Sequence, residues 1–555
     1  MVVPELRSWR AVRPHVVRVT DAVRPRLARA AQIVRPSLAR VTAAARPQVA
    51  RLTQAAGPRL ARITKAGPNA RSWQYTAGAA TAGLALAAGV VTAAGPWDSS
   101  GQRTAERDRV AALERTGGAD HGRKDDSSPT SGTDTAAGAP RPAPSAPSVL
   151  TGLGGAANTV KSAPDALPTG TGVAAVLDRL LADPALGARH TAAVVDVASG
   201  KRLYGTGADR ALTPASTTKI ATAVAALSAM GADHRLTTRA ALEADTGELV
   251  LVGGGDPTLT ARKDAGDWAS LHALADSAAR ELKKRGLTRV TLSYDTTLFA
   301  GAEVHPIGVN TNLAPVTALS ADEGRTDDST SGPATRVSDP AADAGRKFAE
   351  FLEADGIRTT APGPSKATTR AQTLASVSSP PLATLVERML TNSDNDIAEA
   401  LARQTAVATG GHADFAGGGK AVQAQLQKLG LPLKGAAFKD GSGLDREDRL
   451  TADLLTALLV EAGDQDHPEL RPVLTGLPVA GFTGTLSARY ADGAAGVVRA
   501  KTGTLTGVNA LAGTVVDQDG RLLAFAVLAS GTSDPTAAQT ALDKAATALA
   551  GCGCR

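Results

Sequence analysis

The chain is poor in the residues that build metal sites and aromatic binding platforms. Among 555 residues there are only 2 cysteines and 8 histidines, and none stands at the spacing of a CxxC or HExxH ligand pair, which disfavours a zinc or iron–sulfur enzyme. Aromatic residues make up 3% of the chain, which argues against a protein that stacks bases or sugars on aromatic side chains. Hydrophobic residues reach 43%, so wholesale disorder is excluded.

Acidic side chains are scarce at the N-terminal end. Residues 1–72 hold fifteen Lys and Arg but only two acidic residues, so the net charge of +6 hides a net acidic remainder. Prolines recur there every eleven residues, at Pro14, Pro25, Pro36, Pro47 and Pro58, and proline inside a helix argues against one continuous helix. We interpret this part as a basic cytoplasmic Pro/Arg repeat segment. A disordered tail and a surface for anionic lipid are both open, whereas no nucleic-acid partner is expected.

A stretch without any charged residue follows, from Tyr75 to Gly95. Its length suffices to cross the hydrocarbon core of a bilayer. Since Arg62, Lys65 and Arg71 precede it, the positive-inside rule predicts a single-pass signal anchor with the N-terminus in the cytoplasm. A buried helix and a late signal peptide are the alternatives.

These features define the segments that precede the catalytic body. We predict a transmembrane signal anchor over residues 73–95 in the cell membrane, and a disordered Gly/Ser/Pro linker over 96–170. The rest of the chain is then extracytoplasmic.

The remaining residues alternate strand and helix signals. Residues 191–197 and 202–204 predict a hairpin, and residues 497–504, 509–517 and 522–530 predict consecutive strands near the C-terminus. Because strands stand at both ends of the body with helices between them, we predict one α/β sheet assembled from the first and last parts of the sequence.

The first motif with chemical potential is Ser216-x-x-Lys219, at the entrance to an apolar helix predicted over 216–230. Residues three apart at a helix start lie on one side, so the serine hydroxyl and the lysine amine can approach each other. A desolvated lysine with a lowered pKa can take the serine proton. Alone, the pattern also fits a helix-capping serine with an exposed lysine.

The second motif is Ser393-Asp394-Asn395, after a helical segment at 385–390. Its functional interpretation gives Ser393 a proton-relay role between the lysine and a leaving group, and Asn395 a hydrogen bond to the substrate amide. The alternative is an ordinary loop and helix cap.

The third motif is Lys501-Thr502-Gly503-Thr504, on a predicted strand. A substrate along this strand edge can pair with the backbone, while Lys501, Thr502 and Thr504 bind its terminal carboxylate. Gly503 lacks a β-carbon and permits close approach, where a backbone N–H can face an oxyanion. An exposed edge lysine is the alternative interpretation.

Together the three motifs resemble the Ser-x-x-Lys, Ser-Asp-Asn and Lys-Thr-Gly set of class A β-lactamases and penicillin-binding proteins. The first two motifs are separated by far more residues than a compact β-lactamase needs. Four further stretches resemble the D-alanyl-D-alanine carboxypeptidases of the low-molecular-mass class C penicillin-binding proteins, serine peptidase family S13: residues 251–259, 313–320, 440–445 and 477–486. Family members usually carry two extra domains between the first two motifs, and the polar stretch at 322–338 suggests that the second is missing here.

This resemblance implies a penicillin-binding-protein/β-lactamase-like transpeptidase fold of the α/β class over 171–555. Its antiparallel sheet is flanked by helices, with a helical subdomain and a smaller inserted domain at about residues 238–360. It implies an acyl-enzyme cycle on peptidoglycan stem peptides, with β-lactams as acylating inhibitors and without a metal or organic cofactor. The implied catalytic residues are Ser216, Lys219, Ser393, Asn395 and Lys501. The implied substrate-binding residues are Asp394, Thr502, Gly503 and Thr504.

In this cycle Ser216 attacks the carbonyl between two terminal D-alanines with Lys219 as base, and Ser393 helps to protonate the departing D-alanine. The expected oxyanion hole consists of the backbone N–H groups of Ser216 and Thr504. Carboxypeptidase and endopeptidase action both remain open, because both break a bond at a D-alanine.

Two other functions compete with the peptidase. A class A β-lactamase is expected to carry its deacylating glutamate between the second and third motifs, but the corresponding stretch, 427–435, contains no acidic residue. A non-catalytic wall-binding protein is expected to have lost the nucleophile or the lysine, and Ser216 and Lys219 are both present.

A few remaining residues carry weaker signals. Cys552 and Cys554 form a Cys-x-Cys pair near the C-terminus, for which a disulfide, a metal clip and a loose tail are all open. His190, His234 and His305 show no partner pattern and are interpreted as structural or surface residues.

Overall fold

The computed structural model describes residues 168–490 and 493–554. The predicted basic segment and membrane anchor lie outside these residues, as does almost all of the predicted linker. Within the described part, no helix combines the length and apolarity that a membrane span requires.

The helices mostly begin at Ser, Thr or Asp side chains that accept a hydrogen bond from the first helical turn. The α-helices are α1 (Gly170–Leu181), α2 (Thr218–Met230), α3 (Leu271–Lys284), α4 (Pro340–Ala354), α5 (Leu382–Asn392), α6 (Asn395–Ala408), α7 (Phe415–Lys428), α8 (Ala452–Gly463), α9 (Pro472–Thr475) and α10 (Pro535–Ala550).

The strands form two separate sheets. They are β1 (Arg189–Asp196), β2 (Arg202–Thr206), β3 (Thr237–Glu243), β4 (Glu248–Val252), β5 (Arg289–Asp295), β6 (Arg358–Thr359), β7 (Gly363–Pro364), β8 (Gln372–Ser378), β9 (Val498–Leu505), β10 (Val508–Val516) and β11 (Leu522–Ser530).

The first sheet is antiparallel with the strand order β2-β1-β11-β10-β9. Strands from both ends of the described chain meet at the β1–β11 pair, which confirms the prediction of one sheet built from the first and last parts of the sequence. Since β9 closes this order on one side, it is an edge strand.

The two faces of this sheet differ in side-chain size because strand residues alternate between faces. Bulky residues such as Phe525 and Val527 pack with α1 and α10. Small residues such as Ala524 and Ala526 face the helical core around α2. Apolar residues surround α2, and its first ten residues are all buried, as expected for a helix without a polar face.

The second sheet is mixed, with the order β6-β5-β4-β3-β8 and β7 beside β5. Its apolar face packs against α3 and α4 around Phe348. The predicted insertion ends at about residue 360, whereas β8 pairs with β3 beyond that point. The residues of β8 alternate only weakly in polarity, so no strand was predicted there.

The C-terminal tail is packed rather than loose. Cys552 and Cys554 are paired as a disulfide, and both are buried in the layer formed by α1 and α10. The backbone N–H of Thr169 donates to the carbonyl of Cys554 over 2.7 Å, so the two ends of the described chain lie side by side.

Candidate active site

Ser216 lies in a short 3-10 turn, Ala215–Thr217, that leads into α2. The helix predicted from Ser216 therefore begins two residues later, at Thr218. Ala215 has a positive φ of 49°, an uncommon conformation for a residue with a β-carbon. Ala215 and Thr217 are buried, whereas Ser216 is partly exposed, so the turn presents the hydroxyl at the surface of the core.

Lys219 makes three hydrogen bonds through its side-chain nitrogen. Nζ lies 3.0 Å from Ser216 Oγ, 2.7 Å from Asn395 Oδ1 and 2.7 Å from the carbonyl oxygen of Ser442. The two carbonyl oxygens can only accept hydrogen bonds. A neutral amine with two N–H donors therefore gives them to Asn395 and Ser442, which leaves its lone pair directed at the hydroxyl of Ser216.

The electrostatic surroundings of Lys219 suit this state. Its side chain is fully buried, with 0% of its surface exposed. Desolvation lowers its pKa to about 8, while the charges of Asp440 and Glu399 partly oppose the decrease. A base poised near neutrality follows from this burial.

The Ser-Asp-Asn loop connects α5 to α6. Ser393 ends α5 in the left-handed conformation, with φ 58° and ψ 40°, and is partly exposed. Asp394 is buried; its carboxylate caps α6 by accepting from the N–H of Ile397 over 3.1 Å. This contact stabilises the start of α6, and the substrate contact of Asp394 stays a prediction.

Asn395, the first residue of α6, uses both ends of its amide. Its Oδ1 accepts from Lys219, and its Nδ2 donates to the carbonyl of Asn312 over 2.9 Å. The amide of Asn395 thus holds Lys219 in place, and its predicted bond to the substrate stays a prediction.

Lys501 is the second fully buried lysine, with 0% of its surface exposed. Its Nζ donates to the carbonyl of Thr502 over 2.9 Å. Burial and, to a smaller extent, the positive charge of Lys219 lower the pKa of Lys501. The exposed-lysine alternatives for the first and third motifs are thereby excluded.

Gly503 allows β9 to pack directly against the nucleophile turn. A β-carbon at this position would lie 2.6 Å from the carbonyl oxygen of Pro214 and 3.2 Å from the β-carbon of Ala215, closer than side-chain atoms tolerate. The absence of a β-carbon at Gly503 therefore permits the close contact between β9 and the turn.

The outer edge of β9 is open beside Ser216. The N–H of Ala500 donates away from β10, to the carbonyl of Pro478 over 3.0 Å. Because antiparallel strands alternate the direction of these groups, the N–H groups of Thr502 and Thr504 point to the same edge, past the last pairing with the 478–480 segment. Thr504 is exposed and Thr502 partly exposed, and the Thr502 hydroxyl donates to Thr485 Oγ1 over 3.0 Å.

Sequence reasoning missed the loop that supplies the third contact of Lys219. The carboxylate of Asp440 accepts from the N–H of Gly443 over 2.6 Å, and Glu399 accepts from the N–H of Ser442 over 2.8 Å. Burial and the neighbouring Asp440 raise the pKa of Glu399 to about 7. The stretch 440–445 was noted only for its family resemblance, because a backbone carbonyl leaves no side-chain signal in a sequence.

Two buried clusters bring potential metal ligands together: His305, Glu399 and Asp440, and Glu323, Asp394 and Asp396. In the first, the acidic oxygens already accept backbone N–H groups. In the second, Asp396 pairs with Arg336 over 2.9 Å. These contacts give the clusters a structural role without an ion.

A cavity of about 500 Å³ lies within the inserted part of the chain. Its walls come from the inserted segments 304–315 and 335–338. Asn312, whose carbonyl accepts from Asn395, lies within the first of these segments. Two residues that line the cavity, Ala314 and Arg336, contact the carboxylate of Asp396 near the start of α6.

Comparisons with known proteins agree with this geometry. A carboxypeptidase of Mycobacterium tuberculosis (strain ATCC 25618 / H37Rv) is 37% identical over 429 residues, which cover 75% of this chain and 90% of that protein. The D-alanyl-D-alanine carboxypeptidase of Actinomadura sp. (strain R39) is 32% identical over 453 residues, which cover 65% of this chain and 81% of that protein.

The structural comparison concerns the fold. The crystal structure of penicillin binding protein 4 (dacB) from Haemophilus influenzae matches with a TM-score of 0.55 at 22% identity, covering 67% of this chain and 97% of that chain. This likeness confirms the predicted penicillin-binding-protein fold. The model of the D-Ala-D-Ala carboxypeptidase 3 (S13) family matches residues 173–334 and 325–549. The chain therefore belongs to the D-Ala-D-Ala carboxypeptidase 3 (S13) family.

Proposed function

We propose that this protein is a serine-type D-alanyl-D-alanine carboxypeptidase that removes the terminal D-alanine of peptidoglycan stem peptides through an acyl-enzyme. The observation that carries the proposal is the approach of Lys219 Nζ to within 3.0 Å of Ser216 Oγ, with two acceptors holding the remaining protons of the amine. Family membership supplies the substrate class.

In the acylation step, Ser216 Oγ attacks the carbonyl carbon of the penultimate D-alanine while Lys219 takes the hydroxyl proton. The negative charge that develops on the carbonyl oxygen faces the N–H groups of Ser216 and Thr504, an arrangement that contributes a few kcal/mol. The peptide bond then breaks. The departing D-alanine nitrogen receives a proton, for which Ser393, on the loop that carries Asn395, is the proposed relay.

The open edge of β9 supports the proposed substrate position. A peptide laid along it pairs with the N–H of Thr502 and Thr504. Its terminal carboxylate then meets the side chains of these threonines and the amine of Lys501. Water then hydrolyses the ester on Ser216 and releases the shortened peptide.

β-Lactams are the proposed acylating inhibitors because their reactive carbonyl enters the same position. The test is the intact mass of the full chain after incubation with benzylpenicillin, beside the Ser216→Ala variant. A persistent one-drug adduct on the wild type alone is expected. Rapid consumption of the drug with a fleeting adduct would instead indicate a β-lactamase, and no adduct together with no drug loss would indicate a wall-binding role.

The balance of peptidase activities has a separate test. Release of D-alanine from a pentapeptide is compared with cleavage of a cross-linked peptide dimer, each with Ser216→Ala as the control. The proposal expects release from the pentapeptide. Cleavage of the dimer alone would make the protein an endopeptidase.

We also propose that residues 73–95 anchor the protein in the cell membrane with the catalytic body outside, and that the basic segment 1–72 binds anionic lipid. The uncharged stretch, which follows a 72-residue segment with fifteen Lys and Arg residues, supports this proposal. The full chain and a variant lacking residues 1–72 are compared by flotation with anionic and neutral vesicles. Binding to both vesicle types is expected, with an excess on anionic vesicles only in the full chain. Equal binding would remove the lipid proposal.

A further inference from the structure

His305 belongs to the inserted part of the chain, between β5 and α4. Its side chain is 1% exposed, and its Nε2 lies 3.0 Å from Asp440 Oδ2. The ring Nδ1 accepts from the N–H of Ile307 over 3.2 Å. In the neutral ring the proton therefore resides on Nε2 and is donated to Asp440. The ring also meets Phe415 edge to face, with 4.9 Å between centroids.

The carboxylate of Asp440 also accepts hydrogen bonds from backbone N–H groups of the loop that follows it. Its Oδ1 accepts from the N–H of Ser442 over 3.1 Å and from the N–H of Gly443 over 2.6 Å. Its Oδ2, the atom that His305 contacts, also accepts from the N–H of Asp445 over 2.7 Å. One carboxylate thus holds three backbone N–H groups between Ser442 and Asp445, and His305 contacts that carboxylate.

The last contact in this series joins the loop to the catalytic base, Lys219. The carbonyl of Ser442 accepts from Lys219 Nζ over 2.7 Å. If this carbonyl moves, the amine loses one of the two acceptors that direct its lone pair at Ser216. The orientation of the base therefore depends on the position of the loop.

We propose that His305 is a positioning residue for Lys219, acting through Asp440 and the carbonyl of Ser442. The inference rests on the proposed function, in which Lys219 is the base for Ser216. The proposal gives the insertion a role in catalysis, because a residue of the inserted segment helps to orient a base that belongs to α2.

Two substitutions separate the hydrogen bond from the packing of the ring. His305→Phe keeps a ring against Phe415 and removes the donor to Asp440. His305→Gln places an amide N–H near the position of Nε2 and so restores the donor. The matched control is His467→Phe, because His467 also pairs with carboxylates, Glu461 and Glu469, outside this chain of contacts.

The measurement is acylation of the full chain by benzylpenicillin, followed by intact mass over a range of drug concentrations. This range separates the first-order acylation constant from the dissociation constant of the initial complex. Thermal midpoints of all variants are recorded beside it. Should His305→Phe fail to fold, His305→Asn replaces it, because the shorter amide does not reach Asp440 Oδ2.

We expect His305→Phe to lower the first-order constant about tenfold with an unchanged dissociation constant, as misplacement of a catalytic group does. His305→Gln is expected to stay within about threefold of the wild type, and His467→Phe to match it. A wild-type constant in His305→Phe would overturn the proposal, as would a loss confined to the dissociation constant or an equal loss in both His305 variants. Failure of the wild type to form any Ser216 adduct would instead refute the proposed function.

Discussion

At the scale of single residues, the centre is defined by two lysines without contact to water. Lys219 and Lys501 are both fully buried. Burying an ammonium group is costly unless it is compensated, and the acceptors around Lys219 together with the nearby carboxylates provide compensation. Because burial lowers the pKa of Lys219 to about 8, the neutral form of Lys219 is accessible near physiological pH.

This burial predicts how acylation depends on pH. The base must be unprotonated, and its pKa is lowered to about 8, so the protonated, inactive form prevails below that pH. The acylation constant is therefore expected to rise about tenfold from pH 7 to pH 9, with an inflection near 8. Benzylpenicillin acylation across this range measures it. A constant that is flat or falls with increasing pH would contradict Lys219 as the base.

Gly503 provides a second prediction for a single position. In Gly503→Ala the new methyl group would meet the carbonyl of Pro214 at 2.6 Å and push β9 from the nucleophile turn. We expect a loss of about 1–3 kcal/mol in unfolding free energy and a fall of about 100-fold in acylation.

Gly363→Ala is the matched control, because a β-carbon at Gly363 meets nothing within 4 Å. It is expected to change neither the thermal midpoint nor acylation. If Gly503→Ala retained wild-type acylation, close packing of β9 on the turn would not be required for activity.

At the scale of elements, the N-terminus of α6 carries the most specific arrangement. Asp394 caps the helix, Asn395 holds Lys219, and Asp396 accepts from the N–H of Ala314 over 2.9 Å. Of these three consecutive residues, the first stabilises the helix, the second holds the base and the third binds the insertion. This combination explains why the helix begins here and how the insertion is held beside the active site.

The cap offers a prediction with a control inside the same chain. Asp394→Ala removes the cap of α6, and Asp534→Ala removes the equivalent cap of α10. Each is expected to cost about 1 kcal/mol in unfolding free energy, measured by denaturant titration. Only Asp394→Ala is expected to slow acylation, because it loosens the residue before Asn395. An equal effect of both variants on acylation would refute this distinction.

The elements also show how far a sequence can be interpreted. The strands at both ends and the apolar helix after Ser216 were predictable, since hydrophobic periodicity is a local property. The approach of Lys219 to Ser216 followed from helical spacing. The partners of Asn395 and the carbonyl of Ser442 were not predictable, because they depend on contacts between residues far apart in the chain. His305 was interpreted as a structural or surface residue, because no residue near it in the sequence indicates that it contacts Asp440.

At the scale of the whole molecule, the match to the S13 family model begins at residue 173 and includes all three catalytic motifs. A variant lacking residues 1–150 is therefore expected to keep the acylation constant of the full chain within about twofold. Intact-mass kinetics with benzylpenicillin compares the two, and the same deletion with Ser216→Ala gives the background. A large loss would show that the N-terminal segments contribute to the site.

The topology of the first sheet also has a consequence for the folding of the enzyme. Ser216 and Lys219 follow β1 and β2, whereas Lys501 and the edge of β9 belong to the last part of the chain to be synthesised. The two parts are joined in one sheet by the pairing of β1 with β11, and pairings between segments so far apart in the chain form slowly. A nascent chain that has made α2 but not β9 holds a nucleophile without the strand that receives the peptide. Catalytic competence therefore requires that β9 has joined the sheet beside β10 in addition to the folding of α2, which ties attack on the cell wall to a completed sheet.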